Sequence, residues 1–307
     1  MPKVFIDGSA GTTGLRIYER LSSRSDIELL RLSEELRKDT AARREALNAA
    51  DIAFLCLPDA AAVEAVSLID NPHTAVIDTS TAHRVNDAWE YGFAELSGRR
   101  ERISAGKRIA NPGCHASGFI ALIAPLIEAG LLEKDVQLVC HSLTGYSGGG
   151  KKMIAEYEAE QRDVLYEAPR MYGLSQQHKH LPEMVKLCGL ASAPVFCPVV
   201  APYLEGMEVS VPLFASQLKG SMDDVNQLYA DYYQQGLVHF AAAADEGGFL
   251  SAGSMAGRDD MEISVHGNAE RMVLVARFDN LGKGASGAAI QNMNLLLGLD
   301  EACGLNV

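Results

Sequence analysis

Cys114 is placed where a cysteine can act as a nucleophile. Pro112 and Gly113 predict a turn, and apolar residues at helical spacing follow from Phe119 onward, so the cysteine is expected at a helix N-terminus. Unpaired backbone N–H groups and the helix dipole favour the thiolate there, which is the reactive form. The alternative is a small buried hydrophobic side chain. Apolar surroundings or chain ends favour that alternative for the other cysteines, which are Cys56, Cys140, Cys188, Cys197 and Cys303.

His178 and His180 are the candidate acid–base groups. They stand in a polar cluster that ends in Pro182 and Glu183, at a predicted helix start. In an extended segment, residues two apart point to the same side, and cysteine-dependent acyl chemistry needs one general acid or base. Two alternatives remain open, namely surface histidines and a two-histidine metal site. The metal site lacks a clear third ligand, so we expect no metal.

A glycine-rich turn near the start of the sequence is typical of a dinucleotide site. It follows an apolar strand, Lys3–Asp7, and precedes a helix with one apolar face. Glycines permit a tight turn, and the helix N-terminus faces the pyrophosphate. A plain strand-to-helix connection is the alternative. The residues expected to contact the cofactor here are Gly8, Ser9, Ala10, Gly11, Thr12, Thr13 and Gly14.

The second predicted strand, Ile27–Leu32, indicates which dinucleotide binds. An acidic residue at its end would hold the ribose 2′-hydroxyl of NAD, but Ser33 follows, with Arg37 and Lys38 a turn later. A hydroxyl and two cations suit a 2′-phosphate, so the sequence predicts NADP(H). Two intervening glutamates weaken this prediction, and the cations fit an ordinary solvated helix face as well.

Strands alternating with helices continue through Ala75–Asp78, which predicts a parallel sheet with helices on both faces. Ligands bind at the carboxyl edge of such sheets. Pro58, Arg84 and Asn111 are expected there, Pro58 near the cofactor and the other two near the substrate. A surface position is the alternative for Arg84.

The second half of the sequence is rich in strand-like segments and predicts a mixed sheet. We therefore expect an α/β protein, with a Rossmann-type parallel-sheet dinucleotide-binding domain and an α+β catalytic and dimerisation domain. The expected boundaries are residues 1–113, completed by a C-terminal helix within 282–307, and residues 114–281. The segments expected to form the mixed sheet are 136–143, 194–201, 207–214, 261–265 and 272–278.

A second glycine-rich loop, Gly145–Lys152, differs from a P-loop at one position. Lys152 stands where the magnesium-binding Ser or Thr is required, so we reject a nucleoside triphosphatase. The loop can still hold an acidic or phosphorylated substrate through its N–H groups, Lys151 and Lys152.

Composition narrows the class of partner. A formal net charge of −13 over 307 residues argues against nucleic-acid binding. The sequence contains neither an apolar run of membrane-spanning length nor a signal peptide, so we expect no membrane partner and a cytoplasmic protein. Six cysteines without CxxC pairs indicate reduced thiols.

Four motifs together resemble the family of N-acetyl-gamma-glutamyl-phosphate reductases, the NADPH enzymes of arginine biosynthesis, in their shorter form. The likeness spans nearly the whole chain. This family shares its fold and its cysteine with the aspartate-semialdehyde dehydrogenases. The motifs are Gly8-x-x-Gly11-x-x-Gly14, Asn111-Pro-Gly-Cys114, His178-x-His180-x-Pro-Glu183 and Gln291-Asn-Met-Asn294.

The resemblance implies a thioester on Cys114, proton transfer by His180 in preference to His178, and Asn292 near the nicotinamide. It also implies a small-molecule acyl-phosphate substrate and a homodimer or homotetramer. His115 departs from the aromatic residue that longer members carry after the cysteine. The residues expected at the substrate are Arg84, Asn111, Ser142, Lys151 and Glu183.

Two alternatives to this function remain open. The substrate of such an enzyme could be aspartyl or aminoadipyl phosphate instead. A non-catalytic NADP-binding sensor is an alternative of another class.

Overall fold

A computed structural model describes residues 1–307, which divide into two compact units. The first comprises Met1–Pro112 with Ala285–Leu305, and the second comprises Gly113–Gly284 with Asn306–Val307. The chain therefore leaves the first unit immediately before the cysteine helix and returns to it for one C-terminal helix, Gly287–Leu296. No helix is both long and apolar enough to cross a membrane.

The first unit contains a six-stranded sheet in which every pairing is parallel. In sequence-order numbering, the strands lie side by side in the order 2-1-3-4-6-5. The strands are β1 Lys3–Asp7, β2 Glu28–Leu30, β3 Ile52–Leu55, β4 Ala75–Asp78, β5 Glu90–Tyr91 and β6 Arg108–Ala110. The helices are α1 Thr12–Ser22, α2 Thr40–Ala49, α3 Asp59–Ser67 and α4 Arg99–Ala105.

Alternate residues of the strands enter two hydrophobic clusters. Val4 packs in the cluster that includes Ile290 and Met293 of the C-terminal helix, whereas its neighbour Phe5 packs in the cluster that includes Leu47 of α2. Side chains along a strand point alternately to its two faces, so both faces of this sheet are covered. This arrangement explains why β3 and β4 are buried throughout.

The second unit contains a seven-stranded mixed sheet, with strands side by side in the order 11-12-13-10-7-9-8. Its centre is antiparallel, and the pairings of strand 7 with strand 9 and of strand 11 with strand 12 are parallel. The strands are β7 Val139–Gly145, β8 Arg170–Met171, β9 Val195–Ala201, β10 Met207–Phe214, β11 Val238–Phe240, β12 Met261–Gly267 and β13 Arg271–Phe278. The helices are α5 Cys114–Glu128, α6 Gly150–Glu158, α7 Leu181–Cys188 and α8 Met222–Tyr232. A parallel sheet and a mixed sheet confirm the expected fold class.

Helix α5 forms the core of the second unit, and all its residues from His115 to Leu126 are buried. A Cβ atom on Gly118 would lie 2.6 Å from Cγ2 of Val209 and 2.9 Å from Cε1 of Phe278. Glycine therefore permits α5 to lie against β10 and β13 at this distance. Such close packing holds the start of the helix in place.

Two local expectations were wrong. The second strand ends at Leu30, not at Leu32 or Ser33, and its continuation follows the wall of a cleft described below. The second unit also contains more helix than the strand-rich sequence indicated. Helix α8 begins with a capping box, in which Ser221 and Asp224 cap each other, a local signal that the sequence analysis missed.

Candidate active site

In the glycine turn of the first unit, two glycines lie so close to neighbouring backbone atoms that a side chain would not fit. Gly8 has φ +91°, and a Cβ there would lie 2.3 Å from the carbonyl oxygen of Cys56. A Cβ on Gly14 would lie 2.4 Å from the carbonyl oxygen of Gly8. Gly11 is the N-cap of α1 and offers no side-chain cap, so the first-turn N–H groups face outward as donors. This geometry fits a bound pyrophosphate.

A cleft of about 570 Å³ opens beside this turn. Thr12, the first residue of α1, has a buried hydroxyl oxygen without a hydrogen-bond partner, which a ligand phosphate oxygen would satisfy. Cations lie on the cleft wall beyond β2, as a phosphorylated ribose requires. The predicted cofactor residues that line the cleft are Gly8, Ser9, Ala10, Arg37 and Lys38.

Seven predicted cofactor residues lie outside the lining of this cleft, namely Gly11, Thr12, Thr13, Gly14, Ser33, Pro58 and Asn292. Thr13 continues α1. Ser33 is exposed, and its carbonyl accepts the N–H of Arg37 at 3.1 Å, which shapes the turn that carries the cations. Pro58 is the N-cap of α3, and its neighbour Leu57 lines the cleft instead.

The sequence analysis missed a buried ion pair in the wall of the cleft. Nη2 of Arg43 lies 2.9 Å from Oδ2 of Asp7, and both side chains line the cleft. Burial raises the pKa of Asp7, and the Arg43 guanidinium opposes that shift. Arg43 shares the buried face of α2 with Ala46 and Leu47, so an arginine on an otherwise apolar face was the available signal.

The loops after β4 and β6 bring three further predicted residues of this unit together. The Arg84 guanidinium donates to the carbonyls of Asn111 at 2.9 Å and Thr79 at 3.1 Å. The Asn292 amide donates to the side chain of Asn111 at 3.2 Å and to the carbonyl of Gly92 at 3.0 Å. The Asn292 Oδ1 atom is buried without a hydrogen-bond partner. An amide-bearing ligand such as nicotinamide would fit this oxygen.

In the second unit, Cys114 is the first residue of α5 and is half-buried. The N-cap Gly113 offers no side chain, and its own N–H donates to Oε2 of Glu183 at 3.1 Å. A Cβ on Gly284 would lie 2.9 Å from the Cβ of Cys114, so the backbone of Gly284 packs directly against the cysteine. Burial raises the pKa of the Cys56, Cys140 and Cys188 thiols, to about 12 for Cys56.

The two predicted histidines lie side by side, with ring centroids 4.7 Å apart. His180 is the N-cap of α7 and has helical backbone angles, so the expected extended conformation was wrong. The rings still meet because the chain turns at this point. Nε2 of His180 lies 3.9 Å from Oε1 of Glu183, which is almost completely buried. Glu183 thereby connects the histidines to the start of α5.

The remaining predicted substrate residues of this unit occupy different environments. Ser142 on β7 is fully buried, and its hydroxyl lies 2.7 Å from Nδ1 of His115. Lys151 and Lys152 are exposed on the first turn of α6, with Lys152 3.9 Å from Glu156.

Two functional candidates of the second unit were missed, His115 and Tyr172. The His115 ring lies 5.6 Å from the ring of His178 and 5.4 Å from that of His180. Its Nε2 atom lies 2.7 Å from the Tyr172 hydroxyl. Burial, and then the charge on Cys114, raise the pKa of Tyr172. Tyr172, which directly follows β8, gives no sequence signal of this role, because only tertiary packing brings it to His115.

Two protein-family models match this chain, each over a different part of it. Residues 3–105 match the family model described as semialdehyde dehydrogenase, NAD binding domain. Residues 114–280 match the model described as semialdehyde dehydrogenase, dimerisation domain.

Curated relatives are similar over almost the entire chain. The N-acetyl-gamma-glutamyl-phosphate reductase 2 of Nostoc sp. is 44% identical and is covered to 99%, as is this chain. The N-acetyl-gamma-glutamyl-phosphate reductase of Brucella ovis is 46% identical, covering 97% of this chain and 99% of the relative.

Solved structures share the fold at low sequence identity. Aspartate semialdehyde dehydrogenase II of Vibrio cholerae, in complex with ASA, superposes with a TM-score of 0.70 at 16% identity, covering 97% of this chain and 98% of that one. The aspartate semialdehyde dehydrogenase of Candida albicans with NADP gives a TM-score of 0.67 at 15% identity, with the same coverage.

We expect Gly8→Ala to destabilise the protein even without a ligand. The substitution imposes positive-φ strain of about 1–3 kcal/mol and an overlap with the Cys56 carbonyl. Gly11→Ser is the matched control, because its Cβ would lie 3.6 Å from the Gly8 carbonyl oxygen and serine is a favoured N-cap. The thermal midpoint should fall for Gly8→Ala and stay unchanged for Gly11→Ser. Equal midpoints for the two variants would contradict the close approach.

Proposed function

Because the chain belongs to the N-acetyl-gamma-glutamyl-phosphate reductase family of the semialdehyde dehydrogenases, we propose that it reduces N-acetyl-gamma-glutamyl phosphate with NADPH. The products are N-acetylglutamate semialdehyde and phosphate, in arginine biosynthesis. One observation carries the proposal: Cys114 begins a buried helix whose start is connected, through Glu183, to two adjacent histidines. That arrangement suits covalent acyl transfer.

The cysteine performs the first step. The Cys114 thiolate attacks the gamma-carbonyl carbon, a C–S bond forms, and the C–O bond to phosphate breaks with its electron pair leaving on phosphate. NADPH, when bound, supplies the hydride that reduces the resulting thioester. The C–S bond then breaks, which releases the aldehyde and restores the thiolate. His180 donates a proton to the oxyanion and takes it back as the C–S bond breaks.

Backbone N–H groups at the start of α5 stabilise the oxyanion in this proposal. The first-turn N–H groups of an α-helix have no intrahelical acceptor, and the N-cap of α5 supplies none. The N–H of Gly113 is already donated to Glu183. We therefore assign the oxyanion site to the N–H groups of His115 and Ala116, in the first turn of the helix.

The other predicted substrate residues differ in their contacts, and we assign them different roles. We assign Lys151 and Lys152, exposed beside a glycine-rich turn, to the phosphate of the substrate. Arg84 already donates to two backbone carbonyls, which supports a role in shaping the loop that carries Asn111. Ser142 is fully buried with its hydroxyl 2.7 Å from Nδ1 of His115, which supports a role in holding that side chain.

We assign NADP selectivity to Arg37 and Lys38, since both line the cleft. The carbonyl of Ser33 supports the turn that carries them. Gly8, Gly11 and the other glycine-turn residues hold the pyrophosphate, and Asn292 receives the nicotinamide amide. The support for this last assignment is the buried oxygen of Asn292 that has no partner in the protein.

The second unit matches a dimerisation domain, and we propose a homodimer or homotetramer. Exposed apolar side chains on two adjacent strands, Phe214 on β10 and Val273 on β13, support pairing through this sheet. The cytoplasmic location stays a prediction.

We expect Arg37→Ala combined with Lys38→Ala to raise the KM for NADPH by about tenfold or more, because hydrogen bonds to charged groups contribute about 1.5–3 kcal/mol each. The KM for NADH should hardly change. Arg44→Ala is the matched control, since Arg44 is an exposed arginine on α2 that pairs with Asp70 outside the cleft. A parallel loss with both cofactors would contradict the assignment.

The proposed reaction is tested in reverse, because the acyl phosphate is unstable. N-acetylglutamate semialdehyde should reduce NADP only when phosphate is present, and Cys114→Ser should abolish the reaction while NADPH binding remains. Aspartate semialdehyde serves as the competing substrate. Faster turnover of aspartate semialdehyde would favour aspartyl phosphate as the substrate. If neither aldehyde reacts and NADPH still binds, the result would favour a non-catalytic NADP-binding sensor.

His180→Asn is expected to lower kcat on the order of a hundred-fold or more, as loss of an acid–base group does. His178→Asn, in the adjacent ring position, is the comparison and should cost less. A larger loss of kcat for His178→Asn would assign the proton transfer to His178 instead of His180.

A further inference from the structure

Gln176 adopts a backbone conformation that residues other than glycine rarely adopt. Its φ is +56°, and every other residue of the chain with a positive φ is a glycine. The residue is exposed and closes a turn, in which its N–H donates to the carbonyl of Gly173 at 3.0 Å. A positive φ is costly for a residue with a side chain, so it persists only where other contacts hold it.

The side-chain amide of Gln176 makes these contacts with both backbone groups of Phe196 on β9. Its Nε2 donates to the Phe196 carbonyl at 2.7 Å, and its Oε1 accepts the Phe196 N–H at 2.8 Å. A primary amide carries a donor and an acceptor, as a peptide group does. The side chain therefore takes the place of a backbone residue at the edge of the sheet.

The edge of β9 requires this substitute because β8 contains only two residues. After β8, the N–H of Tyr172 donates to the carbonyl of Pro198 at 3.0 Å, and Pro198 has no N–H to donate in return. Hydrogen-bonded positions of antiparallel strands recur at every second residue, so Phe196 is the next one along β9. The chain has already turned away at Gly173, which has φ +63°. Without Gln176, Phe196 would have no backbone partner at this edge.

The segment held in this way carries the two candidate acid–base histidines. The ring of His178, two residues after Gln176, lies 5.1 Å from the ring of Phe196. Its Nδ1 accepts the N–H of His180 at 3.2 Å, and its carbonyl accepts the N–H of Leu181 at 3.0 Å. His178 thereby satisfies two N–H groups at the start of α7, whose N-cap is His180. The positions of the two histidines are therefore coupled.

We propose that Gln176 is a positioning residue, which through its two bonds to the Phe196 backbone holds the His178 ring and, with it, His180 in place for proton transfer. The two bonds offset the cost of the positive φ. In its effect on proton transfer the inference rests on the proposed function. The effect on the position of the His178 ring does not depend on that function.

The position of the His178 ring is measured by NMR without substrate or turnover. In protein labelled with ¹³C only at histidine, the signals of the His178 ring are those that disappear in His178→Asn. Neighbouring aromatic rings displace these signals from the values of a histidine in water. The rings next to His178 are those of His115, Tyr172, His180 and Phe196.

Gln176→Gly removes the amide and also removes the cost of the positive φ, so the protein should stay folded. We expect the His178 ring signals to move toward those of a histidine in water. Gln177→Ala is the matched control, because Gln177 is an exposed glutamine directly adjacent to His178. It should leave the signals near their parent positions. Parent-like signals in Gln176→Gly would overturn the proposal.

Gln176→Glu separates the two bonds. It keeps the length of the side chain and the acceptor for the Phe196 N–H, but a carboxylate cannot donate to the Phe196 carbonyl. We expect the His178 signals to move in the same direction as in Gln176→Gly, by a smaller amount. Signals identical to those of the parent protein would overturn the part assigned to the donor.

The reverse reaction measures the catalytic consequence. We expect Gln176→Gly to lower kcat about tenfold or more, because small displacements of a reacting group are costly. The KM for NADP should stay unchanged, since the residues assigned to the cofactor belong to the first unit. An unchanged kcat, or a loss confined to KM, would overturn the role in proton transfer. If the parent protein turns over no aldehyde while the His178 signals still move, the proposed function is wrong and the positioning of the ring stands.

Discussion

The start of α5 must stay fixed while its first residue remains accessible, and the chemistry of the second unit depends on that constraint. The helix is buried from His115 to Leu126, and Gly118 lets it lie directly on the mixed sheet. Glu183 accepts the N–H of Gly113 and so ties the start of α7 to the start of α5. Because Gly113 has no side chain, no N-cap hydrogen bond takes up the N–H groups of the first turn.

A different constraint governs the first unit, where the backbone has to approach a ligand. Gly8 and Gly14 have no room for a Cβ, and the buried pair of Asp7 and Arg43 forms part of the same cleft wall. A charged pair withdrawn from water is costly unless both partners are hydrogen-bonded. Arg43 makes bonds to Asp7 through both Nε and Nη2, which satisfies that requirement. The pair therefore fixes the position of α2 against the end of β1.

Local patterns predicted the glycine turn, the cysteine at a helix start and the fold class, since each depends on residues close in sequence. They failed where tertiary packing determines the backbone conformation or the contacts of a side chain. The turn at His180 replaced an extended segment, and the second strand stopped at Leu30. Tyr172 lies far from His115 in sequence, and only the folded sheet brings their polar atoms to 2.7 Å. Period-2 alternation along β7 could have placed Ser142 on a buried face but could not identify its partner.

The covalent thioester is the central claim, and it is tested most directly by trapping the acyl-enzyme without NADPH. Freshly generated N-acetyl-gamma-glutamyl phosphate is mixed with the protein, and released phosphate and peptide masses are measured together. The account predicts one N-acetylglutamyl group on the Cys114 peptide for each phosphate released above the enzyme-free hydrolysis, and neither with Cys114→Ser. Acylation of a different residue, or phosphate release by Cys114→Ser as far above enzyme-free hydrolysis as with the parent protein, would contradict it.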